Sequence, residues 1–262
     1  MVIIAVSDQH LGDNPNSDRS AFSAFLDDIS RDQSVTDLVL LGDVVDMWRR
    51  DASGVFLENA DILDKIVSLK NRMKVHYVAG NHDYHVLHLK GHAYPFDFVE
   101  KLTLKEGGRT YQFEHGNRFD PAQQVPFMEA LCRTMSDTAG SFESGVWATL
   151  TGGYGDLYYF FVARLRKGSI RKKLEDIQRK PKERAEILDM VEKDACGQAK
   201  PPGEVLVFGH THRPFINKSE TVVNTGSWVK DAPVHNTYAR LDASGPKLFI
   251  FPGQEITERV QC

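Results

Sequence analysis

Short apolar runs, each closed by polar residues, recur along this chain of 262 residues. The run Leu38–Leu41 contains no polar position, which is typical of a strand buried on both faces of a sheet that helices cover. Gly42 follows it and lets the backbone turn sharply, so Asp43 is presented at the end of the strand. Because ligand sites of α/β sheets gather at such strand ends, the pattern predicts an α/β fold with a site beyond the strands.

Four further strands are predicted in the same way, and side chains able to bind metal or move protons follow each of them. They are Val2–Val6 before Asp8 and His10, Val75–Ala79 before Asn81, His82 and Asp83, Tyr111–Phe113 before His115, and Glu204–Phe208 before His210 and His212. Asp8 and His10 are two residues apart, so both side chains point to one side of an extended segment. Taken alone, that pair better fits an Asx-turn with an exposed histidine, but the repetition of the pattern favours a shared site.

Apolar residues at helical spacing predict amphipathic helices between the strands. One helix is predicted over Ser20–Ser30, and another over Leu57–Leu69 with Leu57 on its buried side. Alternating apolar positions predict two hairpins, one around Gly107 and Gly108 and one formed by Tyr238–Leu241 with Lys247–Phe251.

Residues 117–203 differ from the rest of the chain in their predicted secondary structure. Helix-like stretches occur at Val125–Met135, Tyr154–Leu165 and Pro181–Cys196, without a convincing strand. We therefore expect a catalytic domain formed by 1–116 and 204–262, with 117–203 inserted as a helical cap. Between Arg164 and Arg184 there are ten Lys or Arg against three Asp or Glu, which fits either a solvated helical surface or a cap that attracts an anionic substrate.

Composition is that of an ordinary soluble globular protein, and a net charge of −4 does not by itself indicate a nucleic-acid or membrane partner. Cys132, Cys196 and Cys262 are far apart and odd in number, which favours free thiols in a reducing compartment. Met1 leads directly into an apolar run without a basic leader, and no apolar run reaches the roughly 20 residues that span a bilayer. We expect a cytoplasmic protein; peripheral membrane contact and the oligomeric state remain open.

The strand-end residues are a mixture of carboxylate, imidazole and amide ligands. Such a mixture suits Mn²⁺, Fe²⁺ or Zn²⁺ better than Ca²⁺ or Mg²⁺ alone. The candidate ligands are Asp8, His10, Asp43, Asn81, His115, His210 and His212. They are too many for one tetrahedral ion and about right for two ions that share a bridging ligand, with manganese as our first expectation.

In order along the chain, the motifs resemble those of the calcineurin-like metallophosphoesterase family. They read Asp8-Gln-His10, Gly42-Asp-Val-Val-Asp46, Gly80-Asn-His-Asp83, His115-Gly116 and Gly209-His-Thr-His212. The resemblance implies a four-layered α/β/β/α sandwich and a dinuclear centre bridged by Asp43. It assigns Asp8, His10, Asp43 and His212 to one metal, and Asp43, Asn81, His115 and His210 to the other. Glu114 stands where the family often has Gly, so His85, His88 and His92 compete with His115 for its place.

The same resemblance suggests a hydrolase of phosphoester or pyrophosphate bonds. A metal-bridging hydroxide would be the nucleophile and His82 the general acid, with Asp83 and Asp46 orienting His82 or the ligands. Chain length, helical insertion and basic stretch are similar to UDP-2,3-diacylglucosamine diphosphatases, which implies a small anionic, nucleotide-linked substrate. The alternatives are a phosphodiesterase acting on cyclic nucleotides, phosphoproteins or nucleic acid, and a non-catalytic scaffold of the same fold.

Overall fold

A computed structural model of the chain describes residues 2–13, 15–89, 96–120, 180–198 and 200–261. Two β-sheets form its centre, and the first of them has seven strands. These are β1 Val2–Val6, β2 Val35–Leu41, β3 Lys74–Val78, β4 Asp97–Val99, β10 Thr237–Asp242, β11 Gly245–Ile250 and β12 Gln254–Ile256. Their order across the sheet is β12-β11-β10-β1-β2-β3-β4, with β1 to β4 parallel and β10 to β12 antiparallel.

The second sheet has six strands, which are β5 Leu102–Glu106, β6 Arg109–Phe113, β7 Glu204–Phe208, β8 Phe215–Asn217, β9 Val222–Asn224 and β13 Arg259–Val260. Their order across the sheet is β13-β8-β9-β7-β6-β5. Strands β6, β7 and β9 are parallel, whereas β5 and β6 form the antiparallel hairpin that was predicted around Gly107 and Gly108. The second predicted hairpin is also present, as β10 and β11.

Four α-helices and two 3₁₀ turns lie among the described residues. The helices are α1 Arg19–Arg31, α2 Ala52–Glu58, α3 Ala60–Leu69 and α4 Lys180–Cys196, and the 3₁₀ turns are Tyr84–Leu89 and Asn117–Phe119. The helix predicted over Leu57–Leu69 is therefore wrong in its extent, because the chain breaks at Asn59. The Asn59 carbonyl accepts the first hydrogen bonds of α3, and its side-chain amide donates to the Val55 carbonyl in α2. Leu57, predicted to be buried, ends on the outer side of α2 with 79% of its surface exposed.

Side-chain alternation in β1 separates two hydrophobic layers. Val2, Ile4 and Val6 pack with apolar residues of α1 and α3, whereas Ile3 and Ala5 face β6, β7 and β9 of the second sheet. On the far side of the second sheet, helix α4 packs against β7. The layers are therefore helix, sheet, sheet and helix, which confirms the expected four-layered α/β/β/α sandwich.

Helix α4 falls in the range predicted as a cap, but it forms the outer layer of the sandwich. Val191 and Ala195 are buried against Leu206 and Phe208 of β7. The helix-like stretches Val125–Met135 and Tyr154–Leu165, with most of the basic stretch, lie outside the described residues. The division into a catalytic domain and a cap stays a prediction for them.

Cys196, at the end of α4, is disulfide-bonded. The prediction of three free thiols is therefore wrong at this residue, since wide spacing along a chain does not determine the distance between two cysteines in the fold. Among the described residues, every helix is too short or too polar to cross a membrane.

Candidate metal centre

The loops that follow β1, β2, β6 and β7 meet at one edge of the sandwich and are joined through their backbones. Asp8 N–H donates to the Gly42 carbonyl over 3.0 Å, and His10 N–H donates to the Asp43 carbonyl over 2.9 Å. Across the two sheets, His210 N–H donates to Oδ2 of Asp8 over 3.0 Å. The parallel strands thus bring distant motifs to one place, as the sequence pattern predicted.

Backbone strain is concentrated in these loops. Five residues of the centre have positive φ angles: Asp8 (57°), His10 (47°), Asp43 (52°), His210 (67°) and His212 (59°). Left-handed conformations are uncommon for residues other than glycine and cost of order 1–3 kcal/mol each. The surrounding hydrogen bonds hold these residues in place where the loops meet.

One cluster of potential ligand atoms is formed by Asp8, His10 and His212. Oδ1 of Asp8 lies 3.2 Å from Nε2 of His212 and 3.8 Å from Nε2 of His10. The two imidazole Nε2 atoms are 3.3 Å apart, and Oδ2 of Asp43 is 3.8 Å from Nε2 of His10. These are the four residues that the family resemblance assigned to one metal.

A second cluster is formed by Asp8, Asp43 and His115. Nε2 of His115 is 3.2 Å from Oδ2 of Asp43 and 3.9 Å from Oδ1 of Asp8. Asp43 therefore faces both clusters, as a bridging carboxylate must. Of the competing histidines, His85 and His88 pack against each other with ring centroids 4.8 Å apart, and His92 lies outside the described residues.

Hydrogen bonds fix the orientation of two imidazole rings. Nδ1 of His10 donates to Oδ2 of Asp46 over 2.9 Å, and Nδ1 of His115 donates to the Leu41 carbonyl over 3.0 Å. A neutral imidazole that donates from Nδ1 has its lone pair on Nε2. When these rings are neutral, the lone pairs of both Nε2 atoms point toward the buried carboxylates, a typical arrangement for metal-binding histidines.

The cluster requires positive charge at its centre. Burial opposes ionisation of Asp8 and Asp43, but the neighbouring histidines, His115 first, hold the pKa of both carboxyl groups below the ordinary range. Burial likewise lowers the pKa of His115, but Asp43 and Asp8 outweigh it and raise that pKa to about 9. Oδ1 of Asp8, Oδ1 of Asn81 and Nε2 of His115 are buried without a hydrogen-bond partner among the described residues. Buried anions and unused lone pairs fit divalent cations.

His210 lies beside the second cluster, but a residue not predicted from the sequence holds its Nε2 atom. The His210 and His115 rings are 5.3 Å apart, and Nε2 of His210 is 3.2 Å from Oδ2 of Asp120. Asp120 follows no strand directly and matches none of the motifs, so only its place five residues after His115 could have drawn attention to it. Asn81 is buried next to His82, whose N–H donates to Oδ1 of Asp43 over 2.8 Å.

His82 stands at the border of the cluster, with 13% of its side chain exposed. Its Nε2 atom is 4.0 Å from Oδ2 of Asp43, and its Nδ1 atom is 3.1 Å from Oδ1 of Asp46. The Trp48 ring stacks on the imidazole with centroids 4.0 Å apart. Asp46 therefore contacts both His10 and His82 and can orient them together.

Asp83 has a different environment from His82. Its carboxylate accepts hydrogen bonds from Val44 N–H at 2.8 Å, Gly80 N–H at 2.6 Å and the Tyr77 hydroxyl at 2.7 Å. Burial, followed by the charge of Asp43, raises its pKa. These contacts tie the loop that contains Asp43 to the loop that contains Asn81, so Asp83 acts on the shape of the centre.

Two further histidines, His76 and His235, have hydrogen-bond partners outside the centre. Nε2 of His76 hydrogen-bonds to Oδ1 of Asp37 over 2.9 Å near the opposite end of β2, and Nδ1 of His235 contacts the Ala232 carbonyl at 3.1 Å.

Comparison with known proteins agrees with this geometry. The model of the calcineurin-like phosphoesterase family matches residues 1–214. The chain therefore belongs to the calcineurin-like phosphoesterases and is a metal-dependent phosphoesterase. A search of curated proteins found no match.

Among solved structures, the chain is similar to Yfce, a phosphoesterase from E. coli, with TM-score 0.50, 16% identity and coverage of 98% of this chain and 97% of that one. It also matches a novel archaeal phosphodiesterase with TM-score 0.45, 15% identity and coverage of 96% and 100%. A third match is Vps29 complexed with Zn²⁺ from Entamoeba histolytica, with TM-score 0.42, 14% identity and coverage of 99% and 98%. At 16% identity, the similarity to Yfce concerns the fold alone.

Proposed function

We propose that the protein hydrolyses phosphoester or pyrophosphate bonds at a centre that binds two divalent cations, with manganese as the preferred metal and iron or zinc as substitutes. The observation that supports it is the position of Asp43 between the two clusters of acceptor atoms. When bound, such cations polarise a phosphoryl oxygen and lower the pKa of water toward neutrality. The ligand assignment is the one that the family resemblance implied: Asp8, His10, Asp43 and His212 for one cation, and Asp43, Asn81, His115 and His210 for the other.

His82 is proposed as the general acid that protonates the leaving oxygen. It lies at the border of the cluster with 13% of its side chain exposed, and Asp46 and Trp48 contact its ring. Proton transfer by a positioned side chain contributes typically about 10²–10⁴-fold to a rate. Asp83 supports this machinery through the two loops that it joins, without transferring a proton.

A small anionic substrate is proposed, and a nucleotide-linked pyrophosphate is the first candidate, in line with the resemblance to UDP-2,3-diacylglucosamine diphosphatases. Arg49 adds positive charge at the border of the centre, since its guanidinium lies 2.6 Å from Asp46 and is 45% exposed. Residues 117–203 are proposed to supply further substrate contacts, and the cytoplasm is proposed as the compartment.

Substrate panels test this proposal. Protein loaded with Mn²⁺ should hydrolyse bis(p-nitrophenyl) phosphate, and it should prefer nucleotide-linked pyrophosphates over cyclic nucleotides, phosphopeptides and single-stranded DNA. The Asp43→Asn variant is the inactive control, and His76→Ala, which changes a histidine outside the centre, should remain active. A preference for cyclic nucleotides or DNA would show that the proposed substrate class is wrong. No turnover of any phosphoester by the metal-loaded protein would indicate a scaffold.

A further inference from the structure

Asp120 contacts the centre through His210 and has no role in the function proposed so far. Asp120 is 4% exposed, and its Oδ2 atom lies 3.2 Å from Nε2 of His210. The pair is formed from residues 90 positions apart, so the fold and not local sequence brings it together. The inference that follows rests on the proposed two-cation centre.

The loop that contains Asp120 is fixed against the strand that precedes His210. Gly116 has a φ of 112°, and a Cβ atom there would lie 2.7 Å from the Phe208 ring at the end of β7. Phe119 packs edge-to-face on the same ring with centroids 6.0 Å apart, and Asp120 N–H donates to the Asn117 carbonyl. Since His210 follows Phe208 by two residues, Asp120 and His210 are both positioned by the end of β7.

The ring nitrogen that makes the hydrogen bond in His210 is not the one that makes it in His10 and His115. His10 and His115 each donate from Nδ1, which leaves Nε2 for a cation, whereas His210 has Nε2 beside a carboxylate. A carboxylate only accepts, so Nε2 of His210 is the protonated nitrogen and Nδ1 has the lone pair. We propose that Asp120 is a positioning residue of the metal centre: it holds Nε2–H of His210 and so makes Nδ1 the nitrogen that binds the second cation, the one assigned to Asn81 and His115.

The tautomer can be read directly by NMR. In ¹⁵N-histidine-labelled protein loaded with Zn²⁺, two-bond ¹H–¹⁵N spectra should show His210 protonated at Nε2, and His10 and His115 protonated at Nδ1. The signals are assigned by their loss in single His→Ala variants. A His210 ring protonated at Nδ1 and bound through Nε2 would overturn the proposal.

Variants at Asp120 test the consequence for binding. Outer hydrogen-bond partners of ligands typically affect metal affinity by about 10–100-fold. In calorimetric titration with Mn²⁺, Asp120→Ala should weaken one of the two binding events by that factor, the one lost in His210→Ala, and leave the other unchanged. Asp120→Asn should retain most of the affinity, because its amide oxygen still accepts Nε2–H. Asp37→Ala removes an Asp–His pair outside the centre, at His76, and should bind both cations normally.

The outcomes separate this inference from the proposed function. If the unaltered protein binds fewer than two cations, the two-cation centre is wrong. If the unaltered protein binds two cations and the Asp120→Ala variant binds both with the same affinities, only the role of Asp120 is wrong. If Asp120→Asn loses the second cation as fully as Asp120→Ala, Asp120 is itself a ligand and not a positioning residue.

Discussion

Oδ2 of Asp46 accepts a hydrogen bond from Nδ1 of His10 over 2.9 Å, and Oδ1 of the same carboxylate lies 3.1 Å from Nδ1 of His82. Burial alone would raise the pKa of Asp46, but His82 and His10 hold it well below the ordinary range, so the group is an anion. One carboxylate therefore contacts both a proposed metal ligand and the proposed general acid.

Asp46→Ala should consequently affect both cation affinity and turnover. We expect the first cation to bind about 10–100-fold more weakly, because the His10 ring loses the group that fixes it. Titration with Mn²⁺ measures this loss. Asp13→Ala is the matched control, since Asp13 is the other carboxylate beside Arg49, at 3.4 Å. Equal effects of the two substitutions would show that the Arg49 pairing matters rather than the orientation of His10.

His82→Ala should keep both cations and lose about 10²–10⁴-fold in turnover of an alkyl phosphodiester. The loss should shrink with nitrophenolate as leaving group, because that anion leaves without protonation. His85→Ala changes a nearby histidine that packs on His88 and should have little effect. Loss of bound metal in His82→Ala, or an equal defect with both leaving groups, would contradict the assigned role.

Gly42 can be tested against Gly108, since both have φ near +80° (82° and 77°). Alanine at either position would have to adopt a left-handed backbone conformation, which costs about 1–2 kcal/mol. At Gly42 the new Cβ would also overlap the His115 ring, whereas at Gly108 nothing lies within 4 Å. We therefore expect both variants to be destabilised in urea unfolding, and only Gly42→Ala to lose the second cation. Normal metal content in Gly42→Ala would mean that the loop adjusts freely.

The Asp37–His76 pair predicts a pH-dependent contribution to stability. Burial raises the pKa of Asp37, but hydrogen bonds from His76 and Thr36 outweigh it and hold the pKa below its ordinary value. Such a carboxyl stabilises the fold above its unfolded pKa of about 3.9, and this is lost as pH falls through the folded pKa. Asp37→Asn should cost up to about 1 kcal/mol of unfolding free energy at neutral pH and progressively less below about pH 4. Asp64→Asn, at an exposed helix position, should show no such trend. A cost independent of pH would point to packing instead of charge.

The sequence predicted the strands and the centre where local patterns determine them. Each strand that is followed by a proposed ligand was predicted, because a buried apolar run is visible in the residues themselves. Asn59 was missed because the apolar spacing continues across it, although its side chain and carbonyl end one helix and begin another.

Tertiary contacts explain the remaining differences. Asp120 becomes part of the centre only because the loop after His115 packs on Phe208, and no spacing rule describes that contact. The last helix of residues 117–203 likewise joined the sandwich because Val191 and Ala195 meet β7. Its weakly patterned sequence did not indicate a partner.

The central claim is that two cations share Asp43. Anomalous scattering from crystals soaked in Mn²⁺ tests it most directly. We predict two peaks roughly 3.5–4 Å apart, one beside His10 and His212 and one beside His115, with the Asp43 carboxylate contacting both. A single peak, no peak, or two peaks that Asp43 does not join would contradict the account.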